Sequence, residues 1–360
     1  MSWPELLSSL VQRRDLSSTD TGWAMREILS GAATSAQLAA FAVALRSKGE
    51  TVEEIAGLAD TMLAFATPIT ITGPAVDVVG SGGDRANTVN ISTMAAVVAA
   101  AAGARVVKHG NRAASSACGS ADVLEALGVV LDLPPAAQQQ VVDEAGIAFL
   151  FAPHYHAGLR HASAARRELG IPTTFNYLGP LANPAQPHAQ AVGVADARMA
   201  ALMAGVFASR GHQGLVVHGG DGLDELTTTT SSRVWVYVDH AVTVTEVEPL
   251  DLGLPRATAA DLVGGDAAHN AQVVRDVLDG AGGPVRDIVL LNAAATLVAA
   301  AGPQPERLQA QFGEQLVHAE TAVTSGAARE TLQRWIAATQ AARPSREQRA
   351  LSRGARPSTG

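Results

Sequence analysis

One cysteine, Cys118, stands in 360 residues. The chain therefore has no internal disulfide and no Cys-rich zinc centre, as expected in a reducing cytosol. Cys118 itself reads as a small buried packing residue. Positive charge is also scarce: 26 Lys and Arg face 34 Asp and Glu, a net charge of -8, which argues against the electrostatic footprint of a nucleic-acid binder. Long apolar runs are missing too. The run Met94 to Ala102 is too short and too alanine-rich to span a bilayer, and the N-terminus has no basic-then-apolar leader pattern. No membrane association is expected, and the expected location is the cytoplasm. No repeat recurs at solenoid spacing. What is present is a 47% hydrophobic chain, enough for a full core in one large domain plus a smaller one.

From Trp3 to about Thr67 apolar residues recur at helical spacing. Ser35 is a candidate cap, and Thr51 with Glu54 forms a capping box. These features predict an all-helical N-terminal domain, 1–72, with a further helical contribution from about 166–190. After Pro68 and Pro74 the pattern changes. Short apolar runs at VDVVG (76), ARVVKHG (104), GIAFLFAP (146), GLVVHGG (214) and DIVLLNAA (287) alternate with helical stretches and predict an α/β domain, 73–340, with a mainly parallel central sheet flanked by helices. Period-two alternation over 233–249 around Asp239-His240 predicts an antiparallel hairpin at the sheet edge. The tail, 341–360, holds five arginines, one glutamate and two prolines with almost no apolar residues, and is expected to be disordered.

The stretch DVVGSGGDRANTVNIST (77–93) joins a strand to a helix. Gly80, Gly82 and Gly83 permit a sharp turn that exposes backbone N–H groups, and Ser92 or Thr93 is expected to cap the helix, whose N-terminus favours an anion. A tight turn without a ligand uses the same residues. The spacing is neither Gly-x-Gly-x-x-Gly nor a P-loop. KHGNR (108–112) ends the next strand, and SSACGSAD (115–122) enters another helix. Adjacent parallel strand ends open into one crevice, so Lys108 and the helix after Ser120 are expected to face the same anionic ligand. In FAPHYHAGLRHASAARRELGIPTTFNYLGPLANP (151–184), His156 and Arg166 are ten residues apart and are expected on one side of a helix. Arg166 suits a carboxylate; an ion pair with Glu168 is the alternative. Asp221, Asp224 and Glu225, past a buried strand, point to a divalent cation, with Mg²⁺ favoured, or to an acidic helix start.

Six ordered motifs, GSGGD (80–84), NIST (90–93), KHGNR, GSADVLEALG (119–128), RRELGIPTTFNYLGPLANP (166–184) and DGLDE (221–225), resemble the anthranilate phosphoribosyltransferases, of the nucleoside phosphorylase/phosphoribosyltransferase family. The resemblance extends to about Ala337. It implies transfer of a phosphoribosyl group from 5-phosphoribosyl-1-pyrophosphate to anthranilate. It also implies donor binding by Gly80, Ser81, Gly82, Gly83, Asp84, Thr88, Asn90, Ser92, Thr93, Lys108 and Ser120. Anthranilate binding is implied for Gly80, His109, Asn111, His156, Arg166 and Pro180, and Mg²⁺ binding for Ser92, Asp224 and Glu225. No certain catalytic acid or base is implied, so catalysis is expected to be positional and electrostatic.

Three positions depart from the family pattern: Ser81 where Thr is common, Arg85 where Gly is common, and Ala157 where Pro usually follows the histidine. Ser81 keeps the hydroxyl, Arg85 changes loop charge and mobility, and Ala157 loosens the segment carrying His156. The resemblance implies a homodimer through the helical module; a light-scattering mass equal to one chain would contradict it. Two rival readings are a pyrimidine nucleoside phosphorylase-like enzyme and a catalytically silent nucleic-acid-binding relative. KHGNR and LGPLANP oppose the first; intact acidic motifs and net negative charge oppose the second.

Overall fold

The computed structural model describes residues 1–113 and 117–343. Ser115 and Ser116 of the second loop, and the expected disordered tail from residue 344 onward, lie outside the described residues; Ala341 ends the helix Ala327–Ala341. The N-terminal region folds as helices α1 (Trp3–Val11), α2 (Ser18–Leu29), α3 (Ser35–Lys48) and α4 (Val52–Ala64). The Thr51–Glu54 box forms as expected, with Glu54 N–H donating to Thr51 Oγ1 at 3.2 Å and Thr51 N–H to Glu54 Oε2 at 2.8 Å. The cap of α3 is Thr34 rather than Ser35. Its hydroxyl accepts from the Gln37 amide, because the box partner Gln37 lies three residues after Thr34. Phe41, Leu45, Leu58 and Met25 share one core with Phe175, Leu178, Leu181, Met203 and Phe207. The N-terminal helices are thus packed against the segment that carries the LGPLANP motif.

Seven strands form one sheet: β1 (Val76–Gly80), β2 (Val106–Gly110), β3 (Ile147–Phe151), β4 (Ala189–Gly193), β5 (Gln213–Gly219), β6 (Ser232–Val238) and β7 (Ala241–Val247). Their order is β3-β2-β1-β4-β5-β6-β7. The pairs from β3 to β5 are parallel, and β6 and β7 add an antiparallel edge. The hairpin turn puts Asp239 and His240 at φ 50° and 61°, as a two-residue turn matched to strand twist demands.

Two differences from the sequence reading are informative. DIVLLNAA is not a strand but the middle of an 18-residue helix, Pro284–Ala301, buried from Ile288 to Ala299. A helix apolar all round has no amphipathic signature, and a short window of it looks like a buried strand. This helix is also long and apolar enough to cross a membrane by composition, but 67% of it is buried inside the protein. Conversely, AQAVG was missed as β4. That strand places residues 189–193 in the sheet, so the helical contribution of the 166–190 segment stops at Leu181.

Candidate active site

The site is built at the carboxyl ends of β1, β2, β4 and β5, the crevice that open parallel sheets offer to ligands. Gly80 closes β1 and pairs with Gly193, which closes β4. A Cβ on Gly80 would lie 2.3 Å from Asp224 Oδ2, and one on Gly193 would lie 1.7 Å from the Asp224 carbonyl oxygen. Both glycines are therefore required by the close passage of the loop after β5. The Gly82 N–H donates to Asp224 Oδ2 at 2.6 Å, so this N–H is committed to an acid of the protein. Ser81 N–H donates to the Gly193 carbonyl, and Ser81 Oγ accepts from Ala195 N–H.

Gly82 and Gly83 have φ of 71° and 89°, and Arg85 and Asn87 follow at 60° and 51°. Arg85 therefore stands in the left-handed region, where a Cβ costs roughly 1 to 2 kcal/mol, at the position where the resembling family commonly has glycine. Asp84 turns back to accept from Ala86 N–H, and Thr88 bridges to Val263. The next helix, α5 (Ile91–Ala101), is preceded by Asn90 as its boundary residue. Ser92 and Thr93 are therefore first-turn residues rather than caps. Asn90 ties two segments together: its Nδ2 donates to the Cys118 carbonyl and its Oδ1 accepts from Asn270. Cys118 is buried, and Thr93 Oγ1 is buried with no hydrogen-bond partner among the described residues.

Lys108 is fully buried, and its ammonium donates to the Val78 carbonyl and to Ser92 Oγ at 3.1 Å. It stands inside the sheet facing Asp77, Glu225 and Asp224 rather than extending freely into the crevice. Asp224 and Glu225 are each only 8% exposed. Burial and the neighbouring Glu225 and Asp84 hold the Asp224 carboxyl well above its usual range. Burial lifts Glu225 to about 7, against the opposing pull of Lys108 and Ser92. Asp221 does different work, accepting from Thr227 and Thr229 hydroxyls.

The oxygen-only set of Ser92, Asp224 and Glu225 fits a hard cation whose charge would relieve this crowding. No group of three metal-binding His, Cys, Asp or Glu occurs among the described residues. A cation held here would therefore draw its other ligands from water and substrate oxygens, as Mg²⁺ does.

Across β2 lies a different environment. His109 and His156 are buried with ring centroids 5.2 Å apart. His109 Nδ1 donates to the Gly179 carbonyl at 3.1 Å, and His156 Nε2 to the Ala182 carbonyl at 2.8 Å. A carbonyl only accepts, so each bond fixes the tautomer. The remaining nitrogens, His109 Nε2 and His156 Nδ1, are buried and have no hydrogen-bond partner among the described residues. Burial, with His156 and Lys108 nearby, pushes His109 down to about 3; burial also lowers His156. Both rings are neutral at physiological pH. Pro180 lies on the turn Leu178–Leu181, between the two carbonyls. Asn111 begins the loop after β2, where its side chain accepts from Arg112 N–H. Ser120 opens α6 (Ser120–Leu127), with Gly119 as the cap residue and Asp122 accepting from the Gly119 N–H.

His156 and Arg166 do not share one helix. A short helix ends at Tyr155, a 3-10 segment covers Ala157–Ala162, and Arg166 belongs to Ser163–Leu169. Arg166 is half-buried, and desolvation lowers its pKa. Its guanidinium stands 5.8 Å from the centre of the Phe175 ring. It forms no ion pair with Glu168 or any other acid among the described residues.

Sequence reasoning did not find Asp77 or Asn183. Asp77, fully buried in β1 and raised to about 6 by burial, accepts from the His109 N–H and from Asn183 Nδ2. Asn183 also donates to the Val107 carbonyl. The available signal was an acid inside an apolar strand, which must have partners.

Family models match both parts of the chain: residues 4–66 match the helical bundle domain of a glycosyl transferase family, and residues 72–329 its a/b domain. The anthranilate phosphoribosyltransferase of Thermobifida fusca is 57% identical over 94% of this chain and 97% of its own length. The enzyme of that name from a Nocardioides species is 58% identical over 94% and 99%. The chain belongs to the anthranilate phosphoribosyltransferases. Among solved structures, the anthranilate phosphoribosyltransferase of Thermus thermophilus superimposes with a TM-score of 0.86 at 38% identity, covering 93% of this chain and 99% of that one. The Saccharomyces cerevisiae enzyme in complex with 5-phosphoribosyl-1-pyrophosphate and Mg gives 0.84 at 28% identity, covering 94% and 98%.

The buried histidines make an acid-sensitive contribution to the stability of this chain. Their folded-state pKa values lie below the ordinary 6.5, so the unfolded chain binds more protons on the acid side. The stability they permit is present above pH 6.5 and is lost as pH falls toward 3, at up to about 1.4 kcal/mol per pH unit per histidine. The raised carboxyls of Asp77, Asp224 and Glu225 act with the opposite sign, so the histidine part is read as a difference: between about pH 7.5 and about pH 5, the urea midpoint of the wild type should fall relative to that of His109→Gln. Equal losses in both proteins would remove His109 from the account.

Proposed function

We infer that the chain transfers the phosphoribosyl group of 5-phosphoribosyl-1-pyrophosphate to the amine of anthranilate, giving N-(5-phosphoribosyl)anthranilate and pyrophosphate, a step of tryptophan biosynthesis. The observation that carries this reading is the contrast within one crevice. A glycine loop and a buried oxygen-donor set border one side, and two neutral buried histidines stand across β2 from it; Arg166, which has no acidic partner among the described residues, is assigned to the histidine side by this reading. We propose that the first side holds the donor through residues 80–93, with Lys108 and Ser120, and that the second holds anthranilate.

The amine nitrogen attacks C1 of the ribose as the C1–O bond to pyrophosphate breaks, and one amine proton is released. Positive charge grows on the sugar and negative charge on the departing group, so donors fixed around the pyrophosphate lower the barrier. Ser92, Asp224 and Glu225 would hold Mg²⁺, which supplies positive charge where pyrophosphate leaves. Lys108 keeps Ser92 Oγ oriented from within the sheet. Anthranilate's aromatic amine is already neutral at about pH 7, so placing it against C1 matters more than a strong base. Arg166 is suited to the carboxylate, and Pro180 with the His109 and His156 rings to the aromatic face. The same reading includes a homodimer, a cytosolic location and a division into two domains near residue 72; the last is supported by the bounds of the two family matches.

The test is acceptor choice. Anthranilate fluorescence should fall only when the phosphoribosyl donor is added, and the protein should not cleave uridine with phosphate. Uridine phosphorolysis without anthranilate consumption would favour the nucleoside phosphorylase reading.

A further inference from the structure

The turn Leu178–Leu181 has a second side. Behind it, at the start of β4 and so at the opposite end of that strand from Gly193, lies a cavity of about 290 Å³. It is bordered by Phe207, Leu63, Pro180, Asp60, Arg210 and His212. Phe207 borders the cavity as a buried ring, stacked with Tyr237 at 5.0 Å and with His212 at 6.3 Å.

The polar groups are specific. Gln190 Oε1 accepts from the Tyr237 hydroxyl, and its amide nitrogen donates to the Pro187 carbonyl and to His212 Nδ1. His212 Nδ1 is therefore an acceptor, and the ring proton is on Nε2. That Nε2–H has no hydrogen-bond partner among the described residues. Burial and Arg210 push His212 down to about 4, which keeps the ring neutral. Arg210 donates from Nη2 at 2.6 Å and from Nε at 3.2 Å, both to Asp60 Oδ1. Asp60 Oδ2 has no hydrogen-bond partner among the described residues, and the side chain is 60% exposed.

We propose that this cavity binds an apolar α-amino acid, with its carboxylate on the His212 Nε2–H and Arg210, its ammonium on Asp60, and its side chain along Leu63 and Pro180. A simple carboxylate would meet repulsion from Asp60, and a simple amine would leave the His212 donor unpaired. Only a zwitterion satisfies both ends while leaving the net charge of the ion pair unchanged.

The site is also connected to the chemistry. Arg210 Nη1 donates to the Leu181 carbonyl at 2.8 Å, and the same turn and the residue after it present the Gly179 and Ala182 carbonyls that hold His109 and His156. A ligand that draws Arg210 away therefore weakens anthranilate binding; this second part rests on the proposed function.

Isothermal titration calorimetry with L-phenylalanine on the full chain tests the site without any substrate. Binding is expected in the micromolar to millimolar range, at least about 10-fold tighter than 3-phenylpropionate or phenethylamine. Asp60→Asn, an exposed change, should weaken it about 10-fold, and Leu63→Trp should fill the cavity and abolish it. Arg166→Ala should leave it intact. No heat up to about 10 mM, equal binding in Asp60→Asn and Leu63→Trp, or loss in Arg166→Ala would overturn the proposal. For the coupling, saturating L-phenylalanine should raise the anthranilate KM at least about 3-fold in the wild type and not in Asp60→Asn. An unchanged KM overturns the coupling alone.

Discussion

Asp224→Asn or Glu225→Gln should cut turnover by about 10²-fold or more, because charge stabilisation borne by a metal is worth several kcal/mol. The same substitutions should raise the melting temperature. Both carboxylates are 8% exposed and pushed toward their neutral forms by burial and by other acids. In the unliganded protein the pair is therefore a cost of folding that removing one charge relieves. The amide introduced by Asp224→Asn keeps an oxygen to accept from the Gly82 N–H, so the loop geometry should survive. A fall in activity together with higher stability identifies a site held for function at the expense of folding. Unchanged turnover, or full activity in excess chelator, contradicts the metal role. A joint fall in activity and stability makes the acids structural.

Arg166→Ala should separate the two substrates. The guanidinium is half-buried without an acidic partner among the described residues and stands over Phe175, so a carboxylate supplied by the acceptor would complete it. Losing that charge-assisted contact should cost roughly 2 to 4 kcal/mol, or about 30-fold to 10³-fold in anthranilate efficiency. The KM for 5-phosphoribosyl-1-pyrophosphate should stay within a few-fold. Aniline, which lacks the carboxylate, should lose its disadvantage relative to anthranilate in this variant. Equal losses for both substrates with a lower melting temperature would instead assign Arg166 to packing.

The parts of this site legible in the sequence are those where one residue type is chemically forced. The glycines of the first loop and the acids after β5 belong to this class, as does, outside the site, the helix cap at Thr51. Other parts depend on distant segments meeting. Gly193 is one glycine among 34 until the Asp224 carbonyl is seen 1.7 Å from where its Cβ would stand. Asn270 joins Asn90 across 180 residues, and Asn183 reaches Asp77 across 106.

Local reading failed where burial erases periodicity. The helix Pro284–Ala301 is nearly encased, so 287–294 looked like a strand, and the alanine-rich β4 lacked the β-branched density that marks a strand. The expectation of one helix from His156 to Arg166 failed for another reason. Spacing alone cannot register the switch to 3-10 geometry at Ala157–Ala162.

The most direct test of the central claim is a paired time course on one sample, following anthranilate fluorescence and released pyrophosphate together. If one crevice joins a donor site at residues 80–93 to an acceptor site around His109, His156 and Arg166, the two signals should change one for one. Pyrophosphate release should also fall to a low background when anthranilate is omitted. Rapid pyrophosphate release that is independent of anthranilate, with no loss of fluorescence, would contradict transfer to the amine and show that the donor is simply hydrolysed.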